Sequence, residues 1–167
     1  MTFTAWKHIV FIPGPSWGHL RPGLKTSLRI VEKFPHLFIS LFVYRTELPK
    51  AVKYLSAQPS IYSRRIKVIT ATNEKTPPSI DVVNPIEMLT DMEQSFGLWI
   101  TNELQQPNAI QFEGRPVDPP SLIIEDMFNG GISLARKDVL YKNLKSSGAL
   151  RSTIMALPIL AEPLELQ

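Results

Sequence analysis

The feature that most constrains the fold is an alternation of short apolar runs with segments of helical period. Residues 8–12, 37–44 and 66–70 have the length and near-continuous apolar character of strands covered on both faces. Between the first two runs, Leu20, Leu24, Leu28 and Val31 recur on one side of a predicted helix, with Pro22 placed in its first turn. A second helix is predicted over 47–57.

This order of elements predicts a parallel sheet. Strands alternating with helices at this spacing form βαβ units with right-handed crossovers. A long helix is predicted over 86–106, a fourth strand over 121–125 and a short helix over 132–144. We predict one α/β domain over 1–144, a Rossmann-like doubly wound parallel sheet; if its strand order is 3-2-1-4, the first and fourth strands are neighbours. A divergent or partly disordered tail, with a possible strand at 153–157, follows over 145–167.

Two long polar segments, 71–84 and 107–120, interrupt the pattern and contain prolines. Long loops within a compact domain commonly belong to a binding site, so we expect both segments to border one.

The composition excludes several classes of function. The chain has no cysteine, which excludes disulfides, thiolate zinc sites and a cysteine nucleophile. Its 18 basic and 15 acidic residues are scattered, which favours a solvated surface over a nucleic-acid interface. No apolar stretch approaches the roughly 20 residues that span a bilayer. We therefore expect a cytoplasmic protein with no transmembrane segment and no nucleic-acid partner.

Familiar ligand-binding motifs are missing from the sequence. Gly14 and Gly18 have the spacing G-x-x-x-G, which is neither the dinucleotide fingerprint nor a P-loop. The three histidines, His8, His19 and His36, lie too far apart for a metal-binding motif, so no metal is expected.

The topology brings a histidine and a carboxylate together. Ligands of open α/β sheets bind beyond the carboxyl ends of the strands, where the strand order reverses. The first strand leads to His19, and the fourth leads to Glu125 and Asp126. Adjacent strand residues point to opposite faces, so only one of these carboxylates can face His19. Such a pair makes the imidazole a general base. The alternatives are a structural histidine and a carboxylate that caps the next helix.

Two segments carry a family resemblance. Residues 8–24, HIVFIPGPSWGHLRPGL, resemble the N-terminus of the UDP-glycosyltransferases, two-domain GT-B enzymes that glycosylate small lipophilic acceptors. His19 matches the family's catalytic base and Pro22 the proline that follows it. Residues 122–128, LIIEDMF, resemble the family's strand end, in which Asp126 matches the partner of the histidine. Residues 129–135 look like fungal or plant members, and the resemblance covers roughly residues 6–139.

The resemblance implies a transfer of a sugar from UDP to an acceptor hydroxyl with inversion. His19 would remove the hydroxyl proton, and Asp126 would hold and charge-balance His19. Trp17, Gly18, Phe96 and Phe128 are candidates for binding the acceptor, with core packing as the alternative for the three aromatic residues. No cofactor is implied, because the UDP-sugar is a co-substrate.

The sequence differs from the family in length, because it corresponds to only one of the two domains. The second domain, which binds the sugar nucleotide in the family, has no counterpart in these 167 residues. We therefore expect a truncated acceptor domain that acts with a donor-binding domain in trans. The alternative is a non-catalytic fragment or a small-molecule-binding module.

Overall fold

A computed structural model describes residues 5–70, 84–106, 110–126, 129 and 152–156. The predicted helix over 132–144, the candidate residue Phe128, most of the loop at 71–84 and most of the predicted tail lie outside these described residues.

The elements follow the predicted alternation. The strands of the main sheet are β1 (Lys7–Ile12), β2 (Leu37–Val43), β3 (Ile66–Thr70), β6 (Leu122–Asp126) and β7 (Ser152–Ala156). The helices are α1 (Trp17–Lys33), α2 (Leu48–Ser56), α3 (Ser60–Ser63) and α4 (Pro85–Gln105), with a 3₁₀ turn at Arg45–Glu47. A small hairpin consists of β4 (Gln111–Phe112) and β5 (Arg115–Pro116).

The main sheet is parallel, with the strand order β3-β2-β1-β6-β7. This order confirms the predicted Rossmann-like α/β fold, because β6 is the predicted fourth strand and pairs with β1. In the register, Val10 of β1 lies between Ser40 of β2 and Ile123 of β6. Strand β7 extends the same sheet beyond the predicted domain boundary at residue 144 and starts one residue before the possible strand at 153–157.

Each face of the sheet carries its own apolar cluster. On one face, the apolar stripe of α1 packs with α2 against the sheet, and Leu20, Leu24 and Val31 are fully buried. On the other face, α4 buries Met92, Phe96 and Ile100 in a cluster that also contains sheet residues. Because helices cover both faces, the central strands contain nearly continuous apolar runs, as the sequence predicted.

Helix α1 begins earlier than predicted. Its first residue is Trp17, and Ser16 is the N-cap. Pro22 therefore lies in the second turn, so its predicted place in the first turn is wrong. The periodic stripe of fully buried residues starts at Leu20, while Trp17 in the first turn is half-buried against the same cluster. The carbonyl that loses its helical donor at Pro22 belongs to Gly18, which is exposed and open to water.

The second proline-containing segment lies beside the amino end of β1. The backbone N–H of Trp6 donates to the Pro116 carbonyl at 3.1 Å, and that of Ser121 donates to the His8 carbonyl at 3.0 Å. The ring of Phe112 packs edge-on against Trp6, with centroids 5.1 Å apart. These contacts hold residues 110–121 beside the amino end of β1. The part of this segment that the structure describes therefore lies away from the carboxyl ends of the strands.

Candidate functional site

His19 lies in the first turn of α1, just beyond the carboxyl end of β1. Pro13 ends the strand, and the chain crosses from Ile12 to Ser16 before the helix begins. The Ser16 carbonyl accepts hydrogen bonds from the backbone N–H groups of His19, at 3.1 Å, and Leu20, at 2.8 Å. The helix start therefore fixes the backbone of the histidine, whose side chain is about one third exposed.

The partner of His19 is Asp126, the last residue of the neighbouring strand β6. The Nδ1 atom of His19 lies 2.9 Å from Oδ2 of Asp126. An ionised carboxylate can only accept a hydrogen bond, so Nδ1 carries the proton. In this tautomer Nε2 has the lone pair with which an imidazole accepts a proton. The arrangement is the one in which histidine acts as a general base.

Glu125, the rival carboxylate, takes no part in this contact. It pairs in register with Ile12 and its side chain is buried, 1% exposed. The alternation of side chains along β6 explains the difference, since consecutive strand residues point to opposite faces. Asp126 is therefore the carboxylate that the fold places on His19.

Close packing at Gly14 contributes to the position of the imidazole. A Cβ atom at Gly14 would lie 2.9 Å from Cβ of His19 and 3.3 Å from its Nδ1. The loop backbone thus lies directly against the ring, and any side chain at this position would displace it.

Sequence reasoning missed Asn129, which is 1% exposed. Its Nδ2 group donates to the carbonyl of Ile12 at 3.1 Å and to the carbonyl of Pro13 at 3.0 Å. Both partners are main-chain atoms, which carry no sequence signal. The only available hint is its position three residues after Asp126.

The residues predicted to bind an acceptor fall into three groups. Trp17 and Gly18 share the first helical turn with His19; Trp17 is half-buried and packs edge-on against Tyr54, with centroids 6.2 Å apart, whereas Gly18 is exposed. Phe96 has no exposed surface, and its ring lies 5.3 Å from that of Phe42 in the α4 cluster. Phe96 therefore has the core-packing role that the sequence left open. Phe128 lies outside the described residues.

The same described residues form neither a metal site nor a membrane span. Where the structure describes the chain, no three His, Asp or Glu side chains come together in a way that could hold a metal ion. No helix in the described ranges is long and apolar enough to cross a membrane.

No protein-family model matches the sequence, and no curated protein is significantly similar to it. Solved structures are similar in fold. UGT2 from Phytolacca americana, in complex with UDP-2fluoro-glucose and pterostilbene, matches 92% of this chain with a TM-score of 0.58 and 18% identity. UGT89C1 from Arabidopsis thaliana, in complex with UDP, matches 92% with a TM-score of 0.57 and 15% identity. A UGT transferase from Siraitia grosvenorii, in complex with UDP, matches 89% with a TM-score of 0.56 and 15% identity.

The chain spans only part of these proteins, namely 31%, 36% and 27% of their respective lengths. At such low identity the likeness establishes the fold. The chain has the α/β fold that forms about a third of these GT-B UDP-glycosyltransferases.

Proposed function

We propose that this chain is the acceptor-binding part of a UDP-sugar-dependent glycosyltransferase that glycosylates a hydroxyl of a small lipophilic acceptor. The observation that carries the proposal is the 2.9 Å contact between His19 and Asp126 at the carboxyl edge of the sheet. Ligands of doubly wound folds bind at this edge, where β1 and β6 are neighbours. The fold likeness to enzymes that contain UDP or a UDP-sugar supports the same class of reaction.

In the proposed reaction, Nε2 of His19 takes the proton of the acceptor hydroxyl. The hydroxyl oxygen attacks the anomeric carbon of the sugar, and the bond from that carbon to the UDP oxygen breaks. UDP leaves with the electron pair, and attack from the opposite side inverts the anomeric configuration. Asp126 stays ionised and stabilises the imidazolium that forms.

The acceptor would lie against the first turn of α1. Trp17 offers a half-buried aromatic surface, and around Gly18 the nearest atom to an added Cβ is Oγ of Ser16, at 4.0 Å. An apolar wall beside an open backbone suits a lipophilic alcohol or phenol. Phe128 stays in the proposal through the family resemblance, whereas Phe96 does not, because it is buried. The UDP-sugar is a co-substrate that a donor-binding part, in the same protein or in trans, would hold.

The decisive experiment measures UDP release from a UDP-sugar when the chain is combined with a donor-binding part and an acceptor. Pterostilbene and quercetin, which occupy similar enzymes, are suitable first acceptors. We expect His19→Ala to lower kcat roughly 10²- to 10⁴-fold, the usual contribution of a general base. Asp126→Asn should also lower kcat, because its amide NH₂ group can donate to Nδ1 and favour the wrong tautomer.

The matched control is His36→Ala, because His36 is an exposed histidine at the amino edge of the sheet, where its carbonyl accepts from Lys7. This variant should keep full activity. Activity that survives His19→Ala would exclude His19 as the base. Acceptor binding without UDP release in any combination would instead establish a non-catalytic binding module.

A further inference from the structure

The Asn129 side chain, shortly after β6, links the end of that strand to the loop that leads from β1 to His19. It lies three residues after Asp126, and its amide nitrogen binds the two carbonyls at which β1 ends, those of Ile12 and Pro13. The chain then reaches His19 within six residues of Pro13. The end of β6 and the start of the His19 loop are thus joined by a buried contact as well as by the His19–Asp126 bond.

The orientation of this amide is determined by its partners. Both are carbonyl oxygens, which only accept, so the NH₂ group of Asn129 must face them. The Oδ1 atom is then buried, with no hydrogen-bond partner among the described residues. A buried acceptor left in this way is unfavourable for folding.

The loop between β1 and α1 is confined on its other sides. Pro13 packs closely against Gly23 of α1. A Cβ atom at Gly23 would lie only 3.1 Å from Cβ of Pro13. The backbone at Gly14 lies against the imidazole of His19. A shift of the Ile12 and Pro13 carbonyls would consequently move Gly14, and with it the ring of His19.

We infer that Asn129 is a positioning residue, which holds the β1–α1 loop so that Nδ1 of His19 stays bonded to Asp126. Its catalytic consequence rests on the proposed function, whereas its effect on the imidazole does not. Loss of the amide should lengthen the His19–Asp126 contact. The neutral imidazole of His19 should then populate both tautomers instead of the Nδ1–H form alone.

The primary test reads the tautomer of His19 by ¹⁵N NMR of histidine-labelled protein at a pH where the ring is neutral. In the unaltered chain we expect the Nδ1–H form alone. Asp126→Asn, whose amide NH₂ group can donate to Nδ1, gives the reference for loss of the Nδ1–H form. Asn129→Ala should give a mixture of Nδ1–H and Nε2–H forms, shifted toward this reference. With a donor-binding part present, its kcat should fall on the order of 10²-fold, as for a catalytic group misplaced by about 1 Å, with a smaller change in KM.

The matched control is Ser40→Ala. It also removes a buried hydrogen bond from the sheet, the 2.8 Å contact between Ser40 and His8, but lies away from the loop of His19. It should lower the melting temperature without altering the His19 tautomer. An Asn129→Ala variant with the unaltered tautomer would overturn the inference, whatever its activity.

If Asn129→Ala does not fold, the unaltered chain provides the test through hydrogen exchange. The Nδ2 protons of Asn129 should exchange with water far more slowly than those of the exposed Asn102, and equal rates would overturn the inference. A tautomer that responds in a chain without glycosyltransferase activity would reject the proposed function and leave the positioning role intact.

Discussion

Burial gives His8 a different chemistry from that of His19. The Asp118 carbonyl accepts from Nδ1 of His8 at 3.1 Å, and the Ser40 hydroxyl donates to Nε2 at 2.8 Å. Both ring nitrogens are therefore satisfied in the neutral form. Burial is the main cause that lowers the pKa of His8 from 6.5 to about 4; the hydrogen bond to the Asp118 carbonyl opposes this shift, and the positive charge of Lys67 adds a smaller decrease.

This shift predicts a loss of stability in acid. The unfolded chain binds a proton at His8 near pH 6.5, whereas the folded chain binds it only near pH 4. The contribution of His8 to the unfolding free energy is complete above pH 6.5 and is lost as the pH falls toward 4. The loss at pH 4 is about 3 kcal/mol, at 1.36 kcal/mol per pKa unit. Urea unfolding of the chain and of His8→Gln at pH 7 and pH 4.5 checks this. The variant should lose less stability between the two pH values, and equal losses would contradict the prediction.

At the candidate site, the residues differ in how far sequence could identify them. His19 and Asp126 could be placed opposite each other because strand ends in a parallel sheet converge, and the family resemblance selected Asp126 over Glu125. Asn129 could not be found, since it binds main-chain carbonyls that any residue at positions 12 and 13 would present. Phe96 shows the converse, because an aromatic residue on a helix has the same pattern whether it lines a pocket or packs in the core.

At the scale of elements, the contact between α1 and β1 depends on a small residue. A Cβ atom at Gly23 would lie 3.1 Å from the Pro13 Cβ and 3.2 Å from Cε1 of Phe11. We expect Gly23→Ala to lower the unfolding free energy by about 1–3 kcal/mol, the usual cost of overpacking a buried contact. Gly18→Ala on the same helix meets open space and should raise it by up to about 1 kcal/mol through helix propensity. Chemical denaturation of both variants checks the pair, and a stabilised Gly23→Ala would show that the helix can shift without cost.

The elements that sequence predicted are those with a strong period or a continuous apolar run. The strands β1, β2, β3 and β6 and the helices α1, α2 and α4 all have such patterns; the bounds of β3 agree with the prediction and those of the others differ by at most three residues. The hairpin β4–β5 has strands of only two residues, one of which ends in a proline, and α3 is a single turn. Elements of this size bury too few side chains to leave a periodic pattern. Their positions are set by tertiary contacts such as that of Trp6 with Phe112.

At the scale of the whole molecule, the two apolar clusters share one sheet, which should make them unfold together. Alternate residues of β1 contribute to opposite clusters, Phe11 to the α1 side and Val10 to the α4 side. The strand cannot therefore leave one cluster while it stays in the other. The site at the strand ends joins one helix to this sheet, because His19 belongs to α1 and Asp126 to β6.

Truncation of one fully buried side chain on each face tests this coupling. Leu24 lies in the α1 cluster and Phe96 in the α4 cluster. We expect Leu24→Ala to cost about 2–5 kcal/mol and Phe96→Ala about 3–5 kcal/mol, the usual ranges for such truncations. In either variant, hydrogen exchange of α1 and α4 amides should rise together, because the sheet is common to both faces. If Phe96→Ala accelerated exchange in α4 alone, the clusters would be independent units. Acceptor affinity per folded molecule should be unchanged in Phe96→Ala, and a selective loss of affinity would return Phe96 to the acceptor site.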